Sequence, residues 1–413
     1  MDHLRLHPNF KPLPPTSKIE RIESMEDVRY FRQGTWQWDA LHTGRCTTSQ
    51  VAAALGFLEP LAGEILGVPP SLRRGGLGAY ERLRETPFVS TLKDINSKLC
   101  DFDAENADAR IDPDESSSIN PWIPSSRINS KPRSERAKRD KARFPFAAKY
   151  KLRISDEERR KRRDATRDLV KFEETFDFSV RLRWGNVQEA TSLLTALNYF
   201  WEKDNGILLE EVGMCGAGLE DYNNNTHVIP PGLILGASPD ALLRHPDGRI
   251  EAVEVKNHCP FRMNRRYQRE NGEKRFFLHS LPVESKAGVL PHYVPQLMME
   301  MFSVGPDCVS AIMVRQTATN GSLVLRIKRD NDWIEEMFYW LTRFHNDYVK
   351  SDNPPPPNFF FKSENPEEKK RYLEFLDWTK RVESNVDVLD HIPNKKIQRV
   401  FGESSQAMDL FLD

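Results

Sequence analysis

Long apolar runs are missing from this chain: no stretch approaches the ~18 consecutive apolar residues that a membrane-spanning helix needs. No membrane partner is therefore expected. The opening residues, MDHLRLHPNFKPLPP, hold no apolar core followed by small residues, so no secretory signal is read there. Asp2 and the prolines also fit a mitochondrial or plastid leader poorly. Cysteine is scarce, with five in 413 residues, scattered at Cys46, Cys100, Cys215, Cys259 and Cys308 and forming no CxxC pair. An odd, dispersed set argues against a disulfide framework and a cysteine-type structural zinc site. It suggests a reducing, intracellular compartment.

Net charge is nearly absent too, at −1 from 60 basic and 61 acidic residues. Bulk charge thus points to no polyanionic partner, and the distribution carries more information. Residues 131–167 are strongly basic around Arg159, Arg160, Lys161, Arg162 and Arg163, whereas 101–115 are acidic. Such a basic block tracks nucleic-acid phosphates or addresses a protein to the nucleus; the plainer alternative is a solvated helix face or a flexible arm.

What is present is a chain of alternating helical and strand patterns. Residues 1–27 read as an irregular, proline-bearing lead-in. Helical spacing from Val28 to Leu58 breaks at His42–Thr43–Gly44, after which Thr48 or Ser49 caps a helix ending at Gly56. Residues 101–172 read as an insertion, with 101–145 too polar to pack and a charged helix over 155–172. Helical spacing returns from Phe176 to Glu202. Strands are expected at 233–236, 241–243 and 249–257, the last two joined by the turn His245–Pro246–Asp247–Gly248. A long loop over 262–290 leads to a helix at 291–304, strands at 308–315 and 322–328, and a helix capped by Asp330 or Asn331 running to Tyr348. The run Pro354–Pro357 closes the compact body of 28–350. Beyond it, 351–413 reads as a linker and tail with one helix near 366–382. The expected class is α/β, a mixed central sheet flanked by helices.

One segment carries chemistry. Gly236-Ala-Ser-Pro-Asp240 precedes the tight turn, and Ile250-Glu-Ala-Val-Glu254-Val-Lys256 follows it. Strand alternation sets Glu254 and Lys256 on one face, with Val253 and Val255 on the other, toward a core. The hairpin brings Asp240 beside Glu254. Two carboxylates and an ammonium withdrawn from water cost several kcal/mol per ion unless compensated. A hard divalent cation supplies that compensation, since carboxylate oxygens suit magnesium. An ExK pair alone is more often an exposed cross-strand ion pair; the Ser-Pro-Asp and the intervening turn set this one apart.

Asp240 with Glu254-Val-Lys256 resembles the signature of PD-(D/E)XK nucleases, in a context similar to the YqaJ-like viral recombinase and lambda exonuclease branch. Three further blocks resemble that branch in the same order. Gly44-Arg-Cys-Thr-Thr-Ser49 implies Arg45 and Ser49 as binders of a terminal phosphate. Gly185-Asn-Val-Gln-Glu189 implies Glu189 near the metal. Tyr293-Val-Pro-Gln296 implies Gln296 in the catalytic set. The resemblance spans roughly 36–350 without the insertion and implies a restriction-endonuclease-like core. Its metal ligands would be Glu189, Asp240, Glu254 and Val255, holding Mg2+ or, in its place, Mn2+. The chain departs from the pattern at Ala241, where glycine is usual, at Asn257–His258 before Cys259–Pro260, and at Met298 in place of a second glutamine. His258, His279 and His292 are left outside the catalytic set.

The function so implied is 5′-to-3′ exonucleolytic digestion of DNA from duplex ends in recombination or repair. A single-strand annealing protein as partner and a ring-shaped homotrimer come from the same resemblance. A structure-specific or single-strand endonuclease on the same core, using the basic run 159–163, is the alternative. A catalytically inactive DNA-binding recombination accessory protein is a third reading. The end Met408-Asp-Leu-Phe-Leu412 reads as a frayed terminus rather than a docking segment.

Overall fold

A computed structural model describes residues 2–14, 19, 21–23, 25–85, 94–97, 177–216, 235–263, 276–278 and 288–397. The expected insertion over 101–172, the basic run Arg159–Arg163, His279 and the Met408–Leu412 end lie outside them. The strands are β1 (Phe10–Lys11), β2 (Cys46–Thr47), β3 (Leu208–Glu210), β4 (Leu235–Gly236), β5 (Ala241–Arg244), β6 (Ile250–His258), β7 (Phe261–Met263), β8 (Phe276–Leu278), β9 (Cys308–Thr317), β10 (Gly321–Lys328) and β11 (Asp387–Ile392). The helices are α1 (Asp2–Arg5), α2 (Trp36–His42), α3 (Thr48–Ala54), α4 (Pro60–Ile65), α5 (Leu77–Leu83), α6 (Asp177–Trp201), α7 (Val294–Val304), α8 (Asn331–Phe344) and α9 (Pro366–Ser384).

Seven strands form one mixed sheet in the order β1-β3-β5-β6-β9-β10-β11. β1–β3 and β6–β9 are parallel, and the other neighbours are antiparallel. β5, β6 and β9 carry buried residues on both faces, as strands covered by helices on both sides must. On one face Val253, Val255, Ile312 and Val314 pack with Leu193, Leu194, Leu197 and Phe200 of α6. On the other, Ala252, Ala311 and Met313 join Leu297, Met298 and Met301 of α7 and Trp333, Met337 and Trp340 of α8. The turn at 245–248 forms as read, with Gly248 at φ 89° supplying the left-handed conformation that a Cβ would resist.

Several expectations are corrected. The lead-in is not irregular: Leu4 is buried, and β1 pairs with β3 at the sheet edge. The residue at the N-cap of α3 is Thr47, and its side chain makes no capping bond, because β2 runs directly into the helix and fixes its entry. Within the expected 262–290 loop, β8 pairs with β7 as a small antiparallel ribbon. Asp330 caps α8 by accepting a hydrogen bond from the Trp333 amide at 3.0 Å.

The largest correction concerns the C-terminal segment. The compact body continues past the prolines to residue 397. Phe359, Phe360, Tyr372, Phe375 and Leu376 are buried in the same core as α7 and α8, and β11 adds a strand to β10. The Tyr372 hydroxyl donates to the Leu55 carbonyl at 2.8 Å across the chain. Losing one buried aromatic costs about 3–5 kcal/mol, and a domain's whole margin is about 5–15 kcal/mol. Four buried aromatics together are comparable to or larger than that margin. A chain ending at Asn353 should therefore lose cooperative thermal unfolding, as followed by calorimetry. A sharp transition near that of the full chain would show that 354–397 are dispensable.

Candidate active site

The β5–β6 hairpin brings the three predicted residues together. Its register pairs Ala241 with Val253, so Asp240 stands at the end of the ladder opposite Glu254. There its Oδ2 accepts the Val255 amide at 2.7 Å. The carboxylate takes the place of a ladder acceptor just where β5 begins. The preceding loop is pinned by Ser238: the Trp38 indole donates to its Oγ at 2.7 Å, and that hydroxyl donates to the Gly213 carbonyl at 3.0 Å. Lys256 Nζ donates to Glu254 Oε1, and Glu254 is 4% exposed. The ammonium also lies 5.1 Å from the centre of the Tyr293 ring. Burial works against the Lys256 charge, but Glu254, Tyr293 and Asp240 outweigh it and hold the ammonium above its ordinary range.

α6 and α7 approach this point from different sides. Asn257, at the end of β6, accepts from Ser192 Oγ at 2.6 Å and so fixes α6 near the strand end. Glu189 is one turn earlier on α6. Burial, then Glu254 and Glu211, push its carboxyl up to about 7. Burial, then Glu254 and Glu189, raise Asp240 well above the usual carboxylate range. On α7, Gln296 does not touch Lys256 or Glu254 by a direct hydrogen bond; its Nε2 donates to Glu300 Oε1 at 2.8 Å. Glu300 is fully buried, and burial, then Glu254, raises its carboxyl well above the ordinary range, with Asp240 adding to the effect.

Glu300 was not among the residues picked out of the sequence. Its signal was there: a lone acid in the apolar run Leu297-Met-Met-Glu300-Met-Phe, one helical turn after Gln296. Tyr293 was noted only as part of a motif, although its ring sits beside the lysine.

Arg45 and Ser49 are differently placed. Arg45 is 1% exposed, and its Nη1 donates to the Leu41 carbonyl at 2.8 Å. Burial lowers its guanidinium to about 10. Ser49 is exposed in the first turn of α3 and shares a 3.1 Å hydroxyl contact with Thr47. The two do not form a joint surface facing solvent. His258 extends the Glu254–Lys256 face, and burial, Arg315 and Lys256 lower its imidazole to about 4. It is neutral near pH 7.

Among the described residues, no three His, Cys, Asp or Glu side chains form a ready-made metal cage. The donors still suit a hard cation: two carboxylates with water completing the shell is a usual magnesium arrangement. Burial first, and then the shared neighbour Glu254, raise Glu189, Asp240 and Glu300, so these acids cluster around Glu254. The cluster has a consequence for the metal-free chain. Glu189 holds its proton more tightly folded, at about 7, than at its ordinary 4.5. Its contribution to stability is whole below that ordinary value and is lost as pH rises through about 7. In EDTA the melting temperature should fall between about pH 5 and about pH 8, and Glu189→Gln should flatten the fall. An unchanged slope in that variant would remove Glu189 from the cluster.

No protein-family model matches the chain, and no curated protein matches it. Among solved structures, an alkaline exonuclease from Laribacter hongkongensis is similar at a TM-score of 0.23 and 15% identity, covering 45% of this chain and 86% of that one. So slight a likeness carries no argument about this chain. No helix among the described residues is long and apolar enough to cross a membrane.

Proposed function

We propose that this chain is a metal-dependent nuclease that hydrolyses DNA phosphodiester bonds on a restriction-endonuclease-like core. The observation that carries the reading is the convergence of Asp240, Glu254 and Lys256 at the open end of one hairpin, with Glu189 close enough to share their field. Asp240 and Glu254 would hold Mg2+, or Mn2+ in its place, with Glu189 and Val255 completing the set. The bound ion would lower the pKa of a water and offset charge on the phosphate. Glu254 and Asp240 fix the site on rigid strands. Lys256 presents an ammonium that stays charged at working pH, suited to orienting a water and stabilising developing negative charge. Tyr293 and Glu254 hold that ammonium in place. Gln296, in the catalytic set by the same reading, would act beside this group from α7, where its amide donates to Glu300.

The exonuclease form of the proposal, digestion from a duplex 5′ end, draws on Arg45 and Ser49. The burial of Arg45 favours keeping the endonuclease form beside it, because a terminal phosphate needs an accessible guanidinium. End-labelled linear duplex and closed circular DNA, incubated with the protein and MgCl2, separate the two. Linear DNA cut from its ends with circles intact supports the exonuclease; circles cut at a comparable rate support the endonuclease. No cutting of either, with DNA still bound, leaves the non-catalytic accessory role and refutes the nuclease. Asp240→Asn should abolish whichever activity is found.

A further inference from the structure

Two large aromatic side chains stand at the end of the strand that carries Lys256. Trp184 on α6 and Phe261, the first residue of β7, meet edge to face, with ring centroids 5.7 Å apart and planes at 84°. Both are half-buried. Asn257, the residue after Lys256, ties this part of α6 to the strand. Its Nδ2 donates to the Gly185 carbonyl at 3.4 Å, and its side-chain oxygen accepts from Ser192 Oγ at 2.6 Å. The stretch of α6 beside Trp184 therefore lies against the last residues of β6. That strand ends at His258, and Phe261 follows after Cys259 and Pro260.

Aromatic pairs usually contribute to a fold through the area they bury. Among the described residues, neither of these rings belongs to or packs against any of the apolar cores. Tyr199 and Phe200, further along the same helix, are buried. The next two turns on the Trp184 side of α6 carry polar Gln188 and Ser192. Single exposed apolar residues need no explanation; a contacting pair beside the candidate active site does. In an edge-to-face pair the edge-on ring keeps both faces clear of its partner, so a flat group can lie on it. Lys256 points to the α7 side of the sheet and Asn257 to the α6 side, so a DNA strand crossing the end of β6 passes from one to the other. A base inside a duplex is already stacked on its neighbours, whereas an unpaired one offers its π-face.

We propose that Trp184 and Phe261 form a stacking platform for an unpaired base of the DNA strand held at Lys256. The inference rests on the nuclease reading above. Every base has a π-face, so the platform tolerates any sequence but selects strands that are single or frayed beside the cut.

The test measures binding of the full chain, in Ca2+, to a short fluorescent oligothymidylate and to an abasic phosphodeoxyribose strand of the same length and charge. Wild type should prefer the base-bearing strand. W184A and F261A should each bind that strand about 5- to 150-fold more weakly, the usual effect of losing one base–aromatic stack. Their affinity for the abasic strand should stay near wild type, so the preference collapses. If either alanine variant does not fold, W184L or F261L, which keeps apolar bulk without a π-face, takes its place. Equal weakening on both strands assigns the pair a packing role and overturns the inference, as does unchanged affinity for the base-bearing strand. Wild type that cuts DNA in MgCl2 yet shows no preference for the base-bearing strand overturns the platform and leaves the nuclease reading intact. Wild type that neither binds these strands nor cuts DNA overturns both.

Discussion

Alanine at position 256 is expected to slow DNA cleavage about 10²- to 10³-fold at saturating Mg2+, the usual effect of removing one group that meets developing charge. DNA affinity, measured without cleavage in Ca2+, should change little. Loss of rate without loss of affinity would place the interaction in the transition state alone. The same substitution should also alter stability in a metal-dependent way. Glu254 is 4% exposed and relies on the Lys256 ammonium. Removing that partner leaves a buried charge uncompensated, so Lys256→Ala should melt lower than wild type in EDTA and recover part of the difference in MgCl2. Arginine is a poor replacement, since its delocalised guanidinium does not present the compact point charge that the Lys256 ammonium offers Glu254. Cleavage by Lys256→Ala within about threefold of wild type would refute the catalytic assignment.

Glu251 carries the second large effect, on stability rather than rate. It is fully buried on β6, and around it gather Arg326, Ser310 and His245: Arg326 donates from Nε at 2.7 Å and from Nη2 at 3.0 Å, and His245 Nε2 lies 2.7 Å from Oε2. Burial alone would raise its carboxyl; the Arg326 bonds, Ser310 and His245 more than reverse this and hold it below the ordinary 4.5. Breaking such a pair by removing one member costs about 3–5 kcal/mol. The Arg326 side chain is 25% exposed and can turn toward water, which puts Glu251→Gln near the lower end, about 3 kcal/mol. The pH dependence has the opposite sign to that of Glu189. The contribution of Glu251 is complete above its ordinary 4.5 and fades as pH falls through its lower folded value. Denaturant unfolding of wild type and Glu251→Gln should therefore differ most near pH 7 and converge once the medium is acid enough to protonate the folded carboxyl. A gap that persists at low pH would mean that packing, not charge, is lost.

These two glutamates show what can be read from a strand pattern. Glu251 and Glu254 lie three residues apart on β6, and alternation alone puts them on opposite faces. The hairpin, its turn and the meeting of Asp240 with Glu254 and Lys256 were legible because they depend on contacts within sixteen residues. Period-2 patterning and turn chemistry decide such contacts locally. Glu300 was not legible, because its meaning depends on α7 docking on β6 from 46 residues away. The role of 354–397 was hidden for another reason. α9 is rich in Lys, Arg and Glu, and its buried side is confined to Tyr372, Phe375, Leu376 and Thr379. Four inward residues on nineteen look like a solvated helix until a groove is found for them. Arg45 shows the converse: a motif names the residue, and burial decides what it can touch.

β6 and β9 run parallel, so the chain must cross from one end of the sheet to the other between them, and α7 rides on that crossing. β6 and the helix bearing Gln296 are thus each held by the sheet, not by the length of chain joining them. Closing a loop twice as long costs only about 0.6 kcal/mol. The stretch between β7 and Gly288 can lengthen, shorten or be rewritten while Asp240, Glu254, Lys256 and Tyr293 stay where they are, so under the proposed function this connection is where substrate choice would diverge.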